Sequence, residues 1–176
     1  FVNHSRRFDP EFRALAKDLL AWSIGQPMWA TLFYSGGLWN NGPHAVDLIR
    51  MLTGWSIERV LAWRGPGGPV AGDRAASFTF WPDYGVGGGT CVHLDAEAWS
   101  RFSLRIDGTK GAVEVDGYEI TRWDAAPHRH FTGYQELAHR ATWGQPRSFL
   151  LPMVDHVVRV LDGEEAAIGT GEDGLE

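Results

Sequence analysis

Cysteine is nearly absent from this sequence, which has one, Cys91, in 176 residues. A single cysteine cannot form an intramolecular disulfide, so the chain is not a disulfide-stabilised secreted domain, and we expect a reducing, cytoplasmic location. A chain of this length buries about 70% of the surface that it exposes when unfolded. We therefore expect one domain over residues 1–176, with Cys91 as a small buried hydrophobic residue.

Positive charge and long apolar runs are also scarce. The formal net charge is −6, and basic residues are scattered apart from Arg6-Arg7 and several arginines in residues 122–147. This distribution argues against a nucleic-acid surface. No apolar run approaches the roughly 20 residues that a membrane-spanning helix needs. We expect neither nucleic acid nor a membrane as a partner.

Both ends of the sequence are typical of a fragment. The chain starts without methionine in a pattern that resembles the middle of a strand, and no signal peptide is recognisable. Residues 170–176 resemble the start of a helix that is not completed. We therefore expect that the chain belongs to a longer protein.

The stretch from Phe33 to Gly54 has the order of a strand end, a glycine turn and a helix that ends at a glycine. Gly36-Gly37 predicts the turn. Pro43 has no N–H to lose, so it suits the first helical position after a cap at Asn41 or Gly42. Apolar residues then recur at helical spacing, namely Val46, Leu48, Ile49 and Leu52.

His44 lies in the first turn of this predicted helix, and Asn40 precedes it by four residues. The helix N-terminus disfavours an imidazolium by roughly 0.3 to 1 kcal/mol, whereas Asp47, three residues on, favours it by a similar amount. A histidine that titrates near neutrality can serve as a general acid or base. The alternative is that His44 only caps the helix or packs, and the residues alone leave both open.

Alternation of apolar and polar residues predicts a sheet of short strands. Strands are expected near residues 28–34, 57–64, 76–80, 91–94, 101–107, 113–115 and 118–123. One apolar face and one mixed face are typical of an antiparallel sheet with helices on one side. Asp9 and Pro10 predict the start of an amphipathic helix that runs to about Ser23. The predicted fold class is α+β.

The last third of the chain gives weaker patterns. We expect residues 124–132 to be irregular, residues 134–139 to form a short helix and residues 149–161 to form the last long helix. Asp155 and His156 are expected to be partly exposed on that helix. Its buried stripe is expected to contain Leu150, Met153, Val154, Val157, Val158 and Leu161.

Two further patterns resemble sites but favour plain structure. The glycine-rich run of residues 85–90 is followed by a strand-like segment, whereas a phosphate loop must lead into a helix N-terminus, so a hairpin loop is predicted. His128 and His130, even with His93 and His139, lack further carboxylates or cysteines at ligand spacing. We predict no metal site.

Gly36-Gly37 followed by Asn40, His44 and Asp47 resembles the substrate-site signature of the Gfo/Idh/MocA oxidoreductase family. Residues 2–10, which read VNHSRRFDP, resemble the segment where that family's chain enters its second domain. The resemblance covers essentially the whole chain in order, but only these two segments are sharp.

The resemblance implies a C-terminal domain of the glyceraldehyde-3-phosphate-dehydrogenase-like type, with an open, mostly antiparallel sheet, and an N-terminal Rossmann domain that is absent from this chain. It implies hydride transfer between NAD or NADP and a hydroxyl carbon of a sugar, sugar acid, cyclitol or nucleotide sugar. The cofactor would be bound mainly by the Rossmann domain, so the isolated chain is expected to be inactive.

The same resemblance assigns roles to individual residues. His44 would be the acid or base, with Asp47 as a helper or a helix-orienting residue, and Asn40 stands where many members have an aspartate. Because an amide cannot take a proton, Asn40 could only hold a hydroxyl. Arg6 and Arg7 would lie near the cofactor or form salt bridges. Predicted substrate contacts are Trp39, which would stack on a sugar ring or simply pack, together with Asn41 and Tyr34.

Two other functions stay open. A member of the family could act as an NAD-dependent glycosidase that uses the same cofactor for transient oxidation. The chain could instead be a ligand-binding or dimerisation module without chemistry, because aromatic residues on the mixed sheet face (Trp63, Trp81 and Trp99) would suit a homo-oligomer interface.

Overall fold

The computed structural model describes residues 3–65, 72–83, 87–95 and 99–170. They form eight strands, three α-helices and one short 3₁₀ helix, Ser5–Phe8. The helices are α1 (Pro10–Leu20), α2 (Gly42–Thr53) and α3 (Leu150–Leu161). The strands are β1 (Pro27–Ser35), β2 (Ile57–Arg64), β3 (Ala76–Pro82), β4 (Gly89–Leu94), β5 (Phe102–Gly108), β6 (Gly111–Asp116), β7 (Glu119–Pro127) and β8 (Gln135–Trp143).

The eight strands make one open sheet in the order β2-β3-β4-β1-β5-β6-β7-β8. Only the central β1–β4 pair is parallel, and the other neighbours are antiparallel. Antiparallel neighbours need only short turns, and α2 lies in the connection that leaves β1. The predicted α+β class with a mostly antiparallel sheet is confirmed.

The hydrophobic core lies between one face of the sheet and the helices α1 and α2. Side chains alternate along each strand, so every second residue of β1, β4 and β5 faces this core. Its buried members from the helices and the sheet include Phe12, Leu15, Leu48, Leu52, Leu32, Tyr34, Phe80, Leu104, Ile106 and Val113. The opposite face, called the open face below, carries polar and aromatic side chains.

The start of α1 and the end of α2 are as predicted. The Asp9 carboxylate accepts hydrogen bonds from the backbone N–H groups of Glu11 and Phe12, which satisfies two donors that the helix cannot pair itself. Gly54 ends α2 with φ of 71°. That left-handed conformation costs glycine little, which explains why the helix stops there.

Two expectations about the last third of the chain are wrong at least in part. Of residues 124–132, which are predicted to be irregular, residues 124–127 belong to β7, whereas residues 128–132 are irregular as predicted. The predicted short helix is the start of β8. The two strands pair from Ile120 to Pro127 of β7, with one shift in register between Arg122 and Trp123. Cross-strand pairing therefore outweighs the local preference, which is weak for a short polar segment.

The predicted buried stripe of α3 is also wrong. Leu150, Val154 and Leu161 are 52%, 54% and 78% exposed, whereas His156 is buried. The ring of His156 packs 5.2 Å from that of Phe8, and its Nδ1 lies 2.8 Å from Glu165. The helix thus turns its polar histidine inward and leaves its apolar stripe uncovered within the described chain.

Candidate functional site

A glycine turn joins β1 to α2 and sets the position of the candidate site. Gly36 and Gly37 have φ of 93° and 87°, values that other residues rarely adopt. The side-chain amide of Asn41 donates to the carbonyl of Ser35 across this turn. Asn41 occupies the N-cap position of α2 but makes no side-chain capping hydrogen bond. Its predicted contact with substrate is not tested, and here its amide holds the turn closed.

His44 lies in the first turn of α2 and is partly exposed. Its ring meets the ring of His4 edge to face, with centroids 5.5 Å apart. Burial lowers the pKa of His44, positive charge on His4 and Arg6 lowers it further, and Asp47 opposes the shift. The ring is therefore neutral at physiological pH and can accept a proton.

Asp47, one turn further along α2, is buried and has its carboxylate directed at the N-terminal segment. Arg7 Nε lies 2.6 Å from Asp47 Oδ1, and His4 Nδ1 lies 3.9 Å from Oδ2. The predicted helper of His44 is thus also the partner of Arg7. The sequence analysis did not single out His4, because nothing in its local pattern shows that it returns to α2.

Arg6 and Arg7 differ in their surroundings. Arg7 forms the salt bridge that was one of its two predicted roles. The Arg6 guanidinium lies 4.2 Å from the ring centroid of Phe102, 5.0 Å from that of Phe149 and 5.9 Å from that of Phe12. Burial lowers the pKa of Arg6 to about 10, at which it still carries its charge at neutral pH. These contacts favour a structural role for Arg6.

The other predicted substrate residues lie at different depths. Trp39 is 71% exposed and Asn40 is also exposed, so both are accessible beside the turn. Tyr34 has no exposed surface, and its hydroxyl donates to the carbonyl of Ala76. Direct contact between Tyr34 and a substrate would need the core to open, so the structure does not favour that prediction.

Asp73 is a second residue that the sequence analysis missed. Its Oδ1 accepts a hydrogen bond from the backbone N–H of Trp39 at 2.9 Å, and the N–H of Leu38 donates to the carbonyl of Arg74 at 2.9 Å. The segment before β3 therefore fixes the loop that carries Trp39 and Asn40. These are long-range contacts, for which the local sequence gives no signal.

The two rejected patterns can be compared with the structure where it describes them. Gly89 begins β4, which pairs with β3, so the described end of the glycine-rich run leads into a strand as predicted. His128 accepts backbone hydrogen bonds from His130 and Phe131 within a turn. Within the described ranges, no three histidine, cysteine, aspartate or glutamate residues form a metal-binding group. No helix in those ranges is long and apolar enough to cross a membrane.

Comparison with solved structures shows the fold, whereas no protein-family model and no curated protein matches the sequence. A protein described as an NADPH-dependent oxidoreductase from Desulfitobacterium hafniense has a TM-score of 0.77 at 15% identity, covering 99% of this chain and 58% of its own. Aldose-aldose oxidoreductase from Caulobacter crescentus has a TM-score of 0.72 at 20% identity, covering 98% of this chain and 56% of its own.

The same fold also occurs in a protein whose name refers to repression. A super-repressor mutant of Gal80p from Saccharomyces cerevisiae has a TM-score of 0.69 at 11% identity, covering 90% of this chain and 50% of its own. This chain therefore spans between half and three fifths of the length of these three structures. At these identities the likeness shows that the chain has the fold of one part of such oxidoreductases.

Proposed function

We propose that this chain is the substrate-binding domain of an NAD(P)-dependent oxidoreductase of the Gfo/Idh/MocA type. The observation that carries the proposal is the partly exposed His44 at the start of α2, whose lowered pKa leaves it able to accept a proton. The fold shared with named oxidoreductases supports the same class. The substrate would be a hydroxyl compound such as a sugar, sugar acid, cyclitol or nucleotide sugar.

In this proposal each residue near the turn has a chemical task. His44 accepts the proton of the substrate hydroxyl while the carbon that bears it is oxidised, which is general-base catalysis. Asn40 holds the hydroxyl by hydrogen bonds, since an amide cannot take its proton. Asp47 stabilises the positive charge that His44 gains, because a nearby carboxylate favours an imidazolium.

The nicotinamide cofactor would accept the hydride. The described part of the glycine-rich run, Gly87–Gly89, does not fit a binding site for this cofactor. Gly87–Gly89 leads into β4 and not into a helix N-terminus, so this run offers no helical N–H groups for a pyrophosphate. We propose that the cofactor is bound mainly outside this chain. Arg6 and Arg7 make the structural contacts described above, so the proposal assigns neither of them a contact with the cofactor.

The complete gene product tests this function. We expect oxidation of a sugar-like alcohol with NAD or NADP, and we expect His44→Asn to lower kcat by about 100-fold or more, the usual contribution of a general base. His130→Asn is the matched control, because His130 is exposed in a turn away from α2. Equal kcat values for both variants would contradict the role of His44.

The upstream coding sequence gives an independent test. We expect a strand, a Gly-x-Gly-x-x-Gly turn and a helix, followed later by a Glu-Lys-Pro segment, because the proposed cofactor domain would carry them. Coding sequence without a dinucleotide-binding pattern would contradict the assignment.

We also propose a second function for the sheet, as the interface of a homo-oligomer. Arginines on its open face stack on aromatic rings: Arg59 lies 5.5 Å from Trp81, Arg101 lies 4.6 Å from Phe33 and Arg105 lies 5.1 Å from Trp123. Trp63 is 46% exposed. Such aromatic and arginine side chains are enriched in protein interfaces.

Sedimentation of the protein tests this interface. We expect Trp63→Glu to weaken the dimer at least tenfold, because a buried carboxylate at an interface is costly. Trp22→Glu is the control, since Trp22 is 58% exposed but follows α1 on the helix side of the sheet. A wild-type protein that remains monomeric at high concentration would contradict the proposal.

A further inference from the structure

His4 is buried against the start of α2, although it belongs to the N-terminal segment. It is 7% exposed and directly precedes the 3₁₀ helix Ser5–Phe8. The carbonyl of His4 accepts the backbone N–H of Arg7 at 2.9 Å, and Arg7 forms the salt bridge with Asp47. The turn that carries His4 is therefore tied to α2 through a backbone hydrogen bond and a side-chain ion pair.

The ring of His4 is placed to orient the ring of His44. The two ring planes are 88° apart and the centroids are 5.5 Å apart, within the range of about 4.5 to 7 Å in which edge-to-face contacts are favourable. A histidine that acts as a base is commonly oriented by a third group, through a hydrogen bond to its other nitrogen. Within the described ranges, no hydrogen bond to another residue holds the ring of His44. The contact with His4 supplies the orientation instead.

The Nδ1 atom of His4 distinguishes this ring from a purely structural one. The atom is buried, lies 3.9 Å from Oδ2 of Asp47 and has no hydrogen-bond partner among the described residues. A buried polar atom without a hydrogen bond destabilises a fold, so a phenylalanine ring would pack here at a lower cost. The nitrogen therefore has a use other than packing, and it faces the carboxylate that also acts on His44.

The charge of His4 also acts on the ring of His44. The charged groups that influence this ring are His4, Arg6 and Asp47. Burial lowers the pKa of the His44 imidazole most, positive charge on His4 and Arg6 lowers it further, and Asp47 raises it. A protonated His4 would therefore make His44 a weaker base, whereas a neutral His4 leaves it better able to accept the proton of a substrate.

We infer that His4 is a positioning residue of the reaction, which holds the ring of His44 in the orientation that accepts the substrate proton. The inference rests on the proposed function, because it adds a residue that acts through the proposed base. His4 is itself buried, so it acts through His44 and not on the substrate. The N-terminal segment thereby contributes to a site whose other proposed groups lie in α2 and in the loop before it.

The pH dependence of turnover by the complete gene product tests the inference with two variants. His4→Ala removes the ring, and we expect kcat to fall about 3- to 10-fold, the size of an aromatic contact, while KM changes by less than about twofold. His4→Phe keeps a ring without a charge, so we expect its kcat at high pH to stay within about twofold of the wild type. The acid limb of its kcat profile should move to higher pH, because the repulsion of the His44 imidazolium is gone.

Phe8→Leu is the matched control for a structural effect of the same segment. Phe8 ends the 3₁₀ helix, is 4% exposed and packs on the ring of His156. We expect this variant to lose stability but to keep the kcat and the acid limb of the wild type. Equal losses of kcat in His4→Ala and Phe8→Leu, with an unmoved acid limb in His4→Phe, would overturn the inference. His4→Phe also keeps the test decisive if His4→Ala does not fold.

NMR of the imidazole signals separates the inference from the proposed function, because it needs no turnover. We expect nuclear Overhauser effects between the ring protons of His4 and His44, and a raised pKa of His44 in His4→Phe. If these are observed but the complete gene product oxidises no alcohol, only the proposed function fails. If the gene product shows His44-dependent oxidation that both His4 variants leave unchanged in kcat and in its acid limb, only the present inference fails.

Discussion

The Nε atom of Arg7 lies 2.6 Å from Oδ1 of Asp47, a salt bridge that joins the N-terminal segment to α2 across forty positions of the sequence. Asp47 is 6% exposed and Arg7 is 20% exposed, so water screens the pair only partly. The same carboxylate lies near His4 and acts on the pKa of His44. Asp47 therefore contributes to stability and to the electrostatics of the candidate site.

We predict that Asp47→Asn destabilises the protein by about 3 kcal/mol, because it removes one charge of a salt bridge whose two side chains are largely buried. Asp155→Asn is the control. Asp155 is 71% exposed and lies 4.0 Å from Arg159, and such surface pairs contribute about 1 kcal/mol or less. Urea unfolding of both variants measures the difference. Equal losses would contradict a special role for the Arg7–Asp47 pair.

We predict that the pKa of His44 responds in opposite directions to two substitutions. Positive charge on His4 lowers it and the carboxylate of Asp47 raises it, so His4→Gln should raise the pKa and Asp47→Asn should lower it. NMR titration of the imidazole signals measures both shifts. An unchanged pKa in both variants would show that burial alone controls the ring, and shifts in the same direction would also contradict the prediction.

The candidate site illustrates what the sequence predicts and what it does not. Gly36-Gly37, Pro43 and Gly54 have local conformational preferences, so the turn and both ends of α2 were predicted correctly. The contacts of His4 with His44 and of Asp73 with Trp39 join distant residues. Such contacts depend on the packing of whole elements, which no local pattern encodes.

The last third of the chain was predicted less well for a related reason. Helical spacing of apolar residues shows that α3 is amphipathic, but it does not show which surface covers the apolar stripe. In the described chain the helix contacts the 3₁₀ helix through His156, and the stripe is exposed. The segment of residues 134–139 became a strand because β7 pairs with it.

We predict from this that Val154→Thr changes the stability of the protein by only about 0.5 kcal/mol, since surface substitutions seldom do more. Leu48→Ala, in contrast, should cost about 2 to 5 kcal/mol, because Leu48 is 1% exposed in the core. Chemical unfolding of the two variants measures both values. A large loss for Val154→Thr would show that the stripe of α3 is covered in the folded protein.

We predict a pH-dependent contribution of His93 to stability. His93 is 2% exposed, both ring nitrogens lack partners among the described residues, and burial lowers its pKa. Above pH 6.5 the ring is neutral in both states, but below it the unfolded chain takes up a proton that the folded chain does not. Stability is therefore lost as the pH falls, by at most about 1.4 kcal/mol per pH unit for this group.

The variant His93→Phe tests this, because phenylalanine keeps a ring against Tyr34, 5.2 Å away, but cannot be protonated. We expect its stability relative to the wild type to rise between pH 7.5 and pH 5.5. Urea unfolding at several pH values measures the free energy of unfolding of both proteins. Because both proteins contain His44, its own pH dependence cancels in the difference between them. A constant difference across this range would contradict the prediction.

Gly37 and Gly133 provide a matched pair for the last prediction, because both have φ of 87°. A Cβ at Gly37 would lie 1.9 Å from Oδ2 of Asp73, whereas a Cβ at Gly133 would meet nothing within 4 Å. Gly133→Ala should therefore cost only the left-handed backbone strain, about 1 to 2 kcal/mol. Gly37→Ala should cost more, since it must also displace Asp73 from the N–H of Trp39. Urea unfolding measures the two costs, and NMR of the Trp39 amide shows whether its hydrogen bond is lost. Equal costs with an unchanged Trp39 signal would mean that Asp73 does not fix this loop.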